Sequence, residues 1–267
     1  MRAVDEALRE GLIAIARDAA DAILAVYAGA FEVERKADAS PVTAADLAAH
    51  HRIVDGLAAL TPDIPVLSEE SADEVPWARR RGWTRYWLVD PLDGTREFVK
   101  RNGEFTVNIA LVDAGEAVFG LIQQPVGGAV WYGAPGEGAW LREAGCERAL
   151  RVRRPAHAPL RVAASRSHPD PRTRALLARL GETEPVALGS SLKFCRLAEG
   201  RMDVYPRFGP TSEWDTAAGQ AILEGAGGRV LDPQGRPFRY NRRDTLLNGD
   251  FLALGDPDLP WRSWLGG

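Results

Sequence analysis

The sequence predicts an α+β fold in which helices cover β-sheets. Three observations predict it. The chain opens on a long amphipathic helical pattern, continues in a succession of strand patterns, and ends in alternating strand and helix patterns. With 267 residues, 45% of them hydrophobic, the chain can bury a sizeable core, which argues against a disordered protein.

Two helical patterns come first. Apolar residues recur at spacings of three and four between Leu8 and Val26, which predicts an amphipathic helix that covers a sheet. A second helix is predicted from about Thr43 through Leu57, and the Thr-Pro-Asp sequence at 61–63 ends it.

Strand patterns occupy the middle of the chain. Short apolar runs at 64–67 and 86–89 predict buried strands, and the alternation of apolar residues over 105–111 predicts a half-buried strand. Strand patterns then follow one another to about Leu141.

The pattern changes after the basic, proline-containing stretch 151–155. The predicted elements are a strand at 160–164, helices at 172–180, 191–199 and 215–226, and a strand at 229–231. This change predicts two halves, residues 1–150 with an α+β pattern and residues 151–267 with an α/β pattern.

Composition and charge narrow the function classes. The net charge of −4 argues against a surface built to hold a nucleic-acid polymer, but it permits a small anionic substrate. No stretch approaches the roughly 18 consecutive apolar residues of a membrane-spanning helix. No signal-like cleavage site follows the charged N-terminal residues, so we predict a cytoplasmic protein. Cys146 and Cys195 are too few for a disulfide framework, which predicts reduced side chains.

The most informative sequence is Trp-Leu-Val-Asp-Pro-Leu-Asp-Gly-Thr at 87–95, where a hydrophobic strand ends in two carboxylates. The proline pushes the first carboxylate residue toward an extended conformation, and the glycine relieves crowding in a tight turn. Asp90, Asp93 and the Leu92 carbonyl offer the oxygen ligands that Mg²⁺ prefers. An acidic turn in which Asp90 caps the next segment explains the residues equally well.

Further carboxylates lie where other predicted elements begin or end. Glu69 follows the apolar run 64–67, so it lies at the end of another strand, where sheet-based sites gather their residues. Asp46 and Asp215 each lie near the start of a predicted helix. For these two residues, helix capping is the alternative to a role in a site.

The acidic motifs resemble the two signatures of the inositol monophosphatase superfamily. They are Asp-Pro-Leu-Asp-Gly-Thr at 90–95 and Trp-Asp-Thr-Ala-Ala-Gly at 214–219, in the superfamily's order, with Glu69 upstream. Further segments resemble its CysQ-type 3'(2'),5'-bisphosphate nucleotidases, and the similarity covers nearly the whole chain. These segments lie at 40–46, 66–70, 98–111, 165–168, 189–195 and 205–211.

The resemblance implies a fold and a metal site. The fold is the layered α/β/α/β sandwich of the superfamily, with the active site between its two halves. Glu69, Asp90 and the Leu92 carbonyl are implied to hold one Mg²⁺. A second Mg²⁺ is implied at Asp90, Asp93 and Asp215, and a third, weaker one near Glu69 is an option. The first half would then carry most metal ligands, and the second half would carry Asp215 and substrate-binding residues.

The resemblance also implies roles for the other site residues. Asp46, Glu69 and Thr95 are implied to position and activate the attacking water. Backbone N–H groups of Gly94 and Thr95 would bind phosphate oxygens. The substrate-binding residues implied in this way are Glu69, Leu92, Asp93, Gly94, Thr95, His168, Ser190, Lys193, Arg207 and Asp215.

The activity implied is hydrolysis of the 3'-phosphate of adenosine 3',5'-bisphosphate to AMP and phosphate, linked to sulfate assimilation and inhibited by lithium. Lys193 and Arg207 would bind the second phosphate of this small-molecule nucleotide. The alternatives are an inositol monophosphatase or another small phosphomonoesterase of the superfamily, and a non-catalytic protein that binds nucleotide or metal. The oligomeric state stays open, as does peripheral association with the inner face of the membrane.

Overall fold

A computed structural model describes residues 3–29, 33–35, 41–164 and 171–265. The helices are α1 (Glu6–Ala28), α2 (Ala44–Leu60), α3 (Trp77–Arg80), α4 (Thr95–Val99), α5 (Pro171–Arg179), α6 (Leu192–Ala198), α7 (Glu213–Gly225) and α8 (Trp261–Leu265). The first strands are β1 (Val33–Arg35), β2 (Pro41–Thr43), β3 (Val66–Ser68), β4 (Arg85–Asp93), β5 (Thr106–Asp113), β6 (Glu116–Gln123) and β7 (Val130–Ala134). The later strands are β8 (Gly138–Glu143), β9 (Cys146–Ala149), β10 (Leu160–Ala164), β11 (Thr183–Ala187), β12 (Val204–Arg207), β13 (Arg229–Leu231) and β14 (Phe251–Leu254). A 3₁₀ helix, Glu69–Glu74, follows β3.

The larger sheet is formed by the strands from β3 to β9. Among the described residues it has seven strands, in the order β3-β4-β5-β6-β7-β8-β9. β3 and β4 are parallel, and each later neighbouring pair is antiparallel. In this parallel pair, Ser68 at the end of β3 lies opposite Val89. Glu69, which follows β3, and Asp90, which follows Val89, therefore lie at the same level of the sheet.

The smaller sheet lies in the later part of the chain. Its described strands follow the order β11-β10-β12-β14-β13. β11, β10 and β12 are parallel, whereas β14 is antiparallel to both of its neighbours. This sheet therefore combines the crossover connections expected from alternating strands and helices with an antiparallel edge.

The layers are ordered helix, sheet, helix, sheet, helix. On one face of the larger sheet, α1 and α2 form a core that includes Leu12. Between the two sheets, α6 and α7 bury Phe194 and Ile222 in another core. On the outer face of the smaller sheet, α5 and α8 contribute Leu176 and Trp264. The predicted layered α+β sandwich is confirmed, and this outer helix pair adds to it.

The elements differ from the predicted ones mainly at their ends. β3 begins at Val66, two residues later than the apolar run suggests. β4 continues to Asp93 although the apolar run ends at Val89, because its pairing with β5 extends as far as Thr106. The physical reason is a bulge in β4, which keeps the strand paired past its proline.

The predicted division of the chain falls directly after β9, the last strand of the larger sheet. The hydrophobic core between the two sheets contains residues from before and after this division, for example Leu88 and Leu223. The division into residues 1–150 and 151–267 therefore remains an interpretation of the sequence pattern.

Two further sequence expectations concern cysteines and the membrane. Cys195 is buried, Cys146 is exposed and both are free, as predicted. Across the described ranges, no helix combines the length and apolarity needed to cross a membrane.

Helix α7 approaches the larger sheet closely at Gly120 in β6. A Cβ atom at this position would lie 2.2 Å from the backbone carbonyl oxygen of Ala218 in α7. At Gly219, the next residue of α7, a Cβ atom would lie 2.4 Å from the Phe194 ring. The two glycines therefore permit a close contact that fixes the helix carrying Asp215.

We expect Gly120→Ala to lower the free energy of unfolding by about 1–3 kcal/mol, because the added methyl group overpacks a buried contact. Urea denaturation measures the change. Gly82→Ala is the control, because a Cβ atom at position 82 meets nothing within 4 Å. Equal stabilities of the two variants would contradict the close approach of β6 and α7.

Candidate active site

A β-bulge in β4 turns two carboxylates to the same face of the larger sheet. Asp90 lies opposite Asn108 and Asp93 lies opposite Thr106, so two residues of β4 oppose the single residue Val107. In a regular strand, residues three apart point to opposite faces. The first bulged residue is a proline, which suits a position that breaks the ladder.

The backbone after β4 has the geometry expected from the sequence. Gly94 has a φ of 96°, a left-handed conformation that favours glycine. Thr95 then begins α4. Within the bulge, the N–H of Leu92 donates to Asp90 Oδ1 at 3.0 Å and so orients that carboxylate.

Asp215 reaches the same place from α7. Its Oδ2 accepts the N–H of Ser212 at 2.8 Å, which caps the helix. One oxygen each of Asp90, Asp93 and Asp215 lies within 4.8 Å of the others, and we call these three residues the acidic cluster. Because a carboxylate has two oxygens, capping and metal binding by Asp215 are compatible.

Two further predicted residues border the acidic cluster. Glu69 begins the 3₁₀ helix directly after β3, which pairs with β4. Asp46 lies in the first turn of α2 and is only 1% exposed. Both carboxylates are close enough to Asp90 to repel its charge. Four separate elements therefore bring acidic residues to one edge of the larger sheet.

Electrostatics identify what the acidic cluster can bind. Burial raises the pKa of Asp90 well above its ordinary value, and four neighbouring carboxylates raise it further. These neighbours are Glu69, Asp93, Asp215 and Asp46. Burial and the charge of Asp93 raise the pKa of Asp215 to about 8. Protons or a cation relieve such repulsion, and this all-oxygen donor set fits a hard divalent cation.

A cleft of about 190 Å³ extends from the acidic cluster. Its lining includes residues from the predicted metal site and from the predicted substrate site. They are Asp93, Gly94, Arg96, Glu97, Leu188, Gly189, Ser190, Ser191, Lys193, Phe194, Tyr205, Arg207, Thr211, Asp215 and Thr216. The two predicted sites therefore open into one continuous space.

Three basic residues line this cleft, and two of them, Lys193 and Arg207, belong to the predicted substrate site. Lys193 is 7% exposed, and its Nζ donates to the Ser190 carbonyl oxygen at 2.9 Å and lies 5.3 Å from the centre of the Tyr205 ring. Burial lowers the pKa of Lys193 to about 8. Arg207 donates through Nη2 to the Pro210 carbonyl oxygen at 3.0 Å. Its Nε is buried and has no hydrogen-bond partner among the described residues.

Most of the predicted site residues lie around this space. The cleft is lined by Asp93 and Asp215 of the acidic cluster and by Gly94, Ser190, Lys193 and Arg207. Thr95 directly follows Gly94. His168 lies outside the described residues, so its role stays a prediction.

Sequence reasoning missed three residues that support the site. Ser191 and Asn108 both hydrogen-bond to Asp93, and the Glu104 carboxylate accepts the N–H of Gly189 at 2.8 Å. Ser191 lies within the matched segment 189–195. Asn108 lies on the face of β5 opposite Val107 and Ile109, and it is 1% exposed. Because the pattern predicted a half-buried strand, a polar residue on that face gave no signal of a role in the site.

Known proteins share both the sequence and the fold of this chain. The 3'(2'),5'-bisphosphate nucleotidase CysQ of Escherichia coli strain K12 is 54% identical over 239 residues, which are 89% of this chain and 95% of that protein. The crystal structure of CysQ from Bacteroides thetaiotaomicron matches with a TM-score of 0.80 and 41% identity, covering 92% of this chain and 96% of that one. An inositol monophosphatase from Zymomonas mobilis matches with a TM-score of 0.76 and 26% identity, covering 96% of each chain.

The fold, the buried acidic cluster and these relatives define the class of the protein, a metal-dependent phosphatase. The sequence model of the inositol monophosphatase family matches residues 5–255. The chain therefore belongs to the inositol monophosphatase family.

The raised carboxylate pKa values predict how metal and pH act together on stability. The pKa of Asp215 is about 8 in the folded protein and 3.8 ordinarily, so the metal-free protein should lose stability as pH rises through this window. A bound cation requires the ionised form and removes the repulsion. We therefore expect Mg²⁺ to raise the melting temperature more at pH 8 than at pH 6.

Melting curves with Mg²⁺ and with a chelator, recorded at both pH values, measure this difference. Titratable groups remote from the metal affect both melting temperatures equally, so their contribution cancels when Mg²⁺ and chelator are compared at the same pH. A Mg²⁺ effect that is equal at both pH values, or larger at pH 6, would count against a cation at the acidic cluster.

Proposed function

We propose that this chain hydrolyses the 3'-phosphate of adenosine 3',5'-bisphosphate to AMP and phosphate, in a Mg²⁺-dependent reaction that serves sulfate assimilation. The observation that carries the proposal is the cleft in which the acidic cluster continues into a site with two basic side chains, Lys193 and Arg207. A bisphosphate presents one phosphate to each end of such a cleft. The 54% identity to a curated CysQ nucleotidase supports this substrate.

The metal ligands proposed are those that surround Asp90. Glu69, Asp90 and the Leu92 carbonyl would hold one Mg²⁺, and Asp90, Asp93 and Asp215 would hold a second. A third, weaker ion near Glu69 is part of the same proposal. When bound, such ions supply a water of lowered pKa and stabilise negative charge on phosphoryl and leaving oxygens.

The protein's own groups then position the reactants. Asp46 is buried beside Asp90, where its carboxylate can hold a proton from the attacking water, with Glu69 adjoining. The Thr95 hydroxyl would orient the same water, since Thr95 begins α4 two residues after Asp93. The backbone N–H groups of Gly94 and Thr95, at the start of α4, would donate hydrogen bonds to phosphate oxygens.

The far end of the cleft supplies the contacts for the rest of the nucleotide. Arg207 Nε is a buried donor that a phosphate oxygen would satisfy, and guanidinium groups bind phosphate through paired hydrogen bonds. Lys193 adds a compact charge whose burial an anionic group would offset. Ser190 lies between these residues and the acidic cluster, where it can contact the ribose, and His168 is proposed nearby.

An inositol monophosphatase is the second candidate within the family. The similarity to the Zymomonas mobilis enzyme supports the shared fold and a shared type of metal site. The basic pair Lys193 and Arg207 favours the nucleotide, because a monophosphate carries no second phosphate for these cations to bind. A non-catalytic binding protein is disfavoured because each carboxylate of the proposed metal site is present.

Phosphate release from adenosine 3',5'-bisphosphate and from inositol 1-phosphate, measured side by side with Mg²⁺ and with a chelator, tests the proposal. We expect metal-dependent release with a higher kcat/KM for the nucleotide. A preference for inositol 1-phosphate would leave the metal chemistry and overturn the substrate. Nucleotide binding without release from either substrate would favour the non-catalytic alternative.

Lys193→Met separates substrate binding from stability. We expect KM for the bisphosphate to rise by about tenfold or more, because a buried charge partner of the second phosphate is lost. The free energy of unfolding at pH 7 should rise, because the folded pKa of about 8 lies below the ordinary 10.5 and the cost of burying the charge is present in full below pH 8.

Steady-state kinetics and urea denaturation measure the two effects of Lys193→Met. Lys100→Met removes the same charge from an exposed position outside the cleft lining and serves as the matched control. An unchanged KM in Lys193→Met would exclude Lys193 from the substrate site.

A further inference from the structure

Two buried polar residues outside the proposed ligand set contact Asp93. Ser191 directly precedes α6 and is 2% exposed, and Asn108 lies on β5 and is 1% exposed. Asn108 belongs to the larger sheet, whereas Ser191 lies in the turn before α6, and the two residues are 83 positions apart in sequence. Both therefore reach Asp93 only because the chain folds back on itself at the acidic cluster.

The donors of these residues converge on a single oxygen. The N–H of Ser191 donates to Asp93 Oδ2 at 2.6 Å, and its hydroxyl lies 2.5 Å from the same atom. Asn108 Nδ2 is a third, longer contact at 3.4 Å. With Oδ2 held in this way, the carboxylate has one orientation, and Oδ1 is the oxygen with the freer lone pairs.

The direction of the Ser191 hydroxyl proton follows from its neighbours. Asn108 Nδ2 donates to Ser191 Oγ at 3.0 Å, so this oxygen accepts there and must direct its own proton elsewhere. Two acceptors are available, Asp93 Oδ2 at 2.5 Å and the Asp215 carbonyl oxygen at 2.9 Å. A hydroxyl has a single proton, and the carboxylate oxygen is both the nearer and the more strongly charged acceptor, so the Ser191 hydroxyl donates to Asp93 Oδ2.

We propose that Ser191 and Asn108 are positioning residues that fix the Asp93 carboxylate for metal binding. The inference rests on the metal site of the proposed function. Without the two side-chain donors, Asp93 Oδ2 keeps only the backbone N–H of Ser191, and its carboxylate is less firmly held in the position that Asp90 and Asp215 share. Groups that orient metal ligands in this way typically contribute about 10–100-fold to metal affinity.

Direct binding of Mn²⁺ to the metal-free protein, titrated by electron paramagnetic resonance in the absence of substrate, tests the proposal. Ser191→Ala should weaken Mn²⁺ binding by about tenfold or more while the variant remains folded by circular dichroism. Tyr132→Phe is the matched control, because it also removes a hydroxyl donor to a carboxylate, that of Glu147, outside the cleft lining. Its Mn²⁺ affinity should equal that of the wild type.

Asn108→Ala and the double variant extend the test. Asn108→Ala should also weaken Mn²⁺ binding. This variant tests the proposal if Ser191→Ala does not fold. Because both residues act through Asp93, the combined loss of binding free energy should be smaller than the sum of the single losses. Fully additive losses of binding free energy would show that the two residues act independently, and would overturn the proposal that both act through Asp93.

The remaining outcomes separate this inference from the function on which it rests. Unchanged Mn²⁺ affinity in folded Ser191→Ala and Asn108→Ala, or an equal loss in Tyr132→Phe, overturns the positioning role alone. A wild-type protein that binds no Mn²⁺ overturns the metal site and the positioning role together.

Discussion

Repulsion among buried carboxylates is the interaction on which the rest of the structure depends. Asp90 is buried and Asp93 and Asp215 are partly buried, so burial and mutual repulsion raise the pKa values of Asp90 and Asp215. Such a cluster persists only if the surrounding elements fix its members. The bulge in β4, the cap of α7 and the contact between α7 and β6 each supply part of that rigidity.

Hydrogen bonds at the acidic cluster also join the earlier and later parts of the chain. Asp93 and Glu104, which flank α4, accept hydrogen bonds from Ser191 and Gly189 in the turn before α6. Ser190 lies between those two donors and has a φ of 45°, a left-handed conformation that is uncommon for a residue with a side chain. The surrounding contacts hold this turn, so the packing of the layers and the shape of the cleft are determined together.

Sequence patterns predicted the helices, the strands and the main acidic residues because these depend on local sequence, whereas the layered sandwich was implied by the family resemblance. Helical spacing over α1, and the motif that contains Asp90 and Asp93, need no knowledge of distant contacts. The bulge escaped prediction because it depends on the register between β4 and β5, and apolar periodicity ends before it begins. Ser191 escaped because its importance comes from a hydrogen bond across 98 residues of sequence, which no local pattern records.

Helix α7 has a consequence for how this architecture can diversify. Its backbone touches β6 at Gly120, one turn from Asp215, so the helix cannot slide without displacing a strand at the centre of the larger sheet. The position of Asp215 is thus tied to the packing of α7 on the larger sheet. Lys193 and Arg207 line the same cleft from α6 and β12, outside this contact. Replacing these two side chains can therefore change what the cleft binds while the contact between α7 and β6, and with it the acidic cluster, is inherited intact.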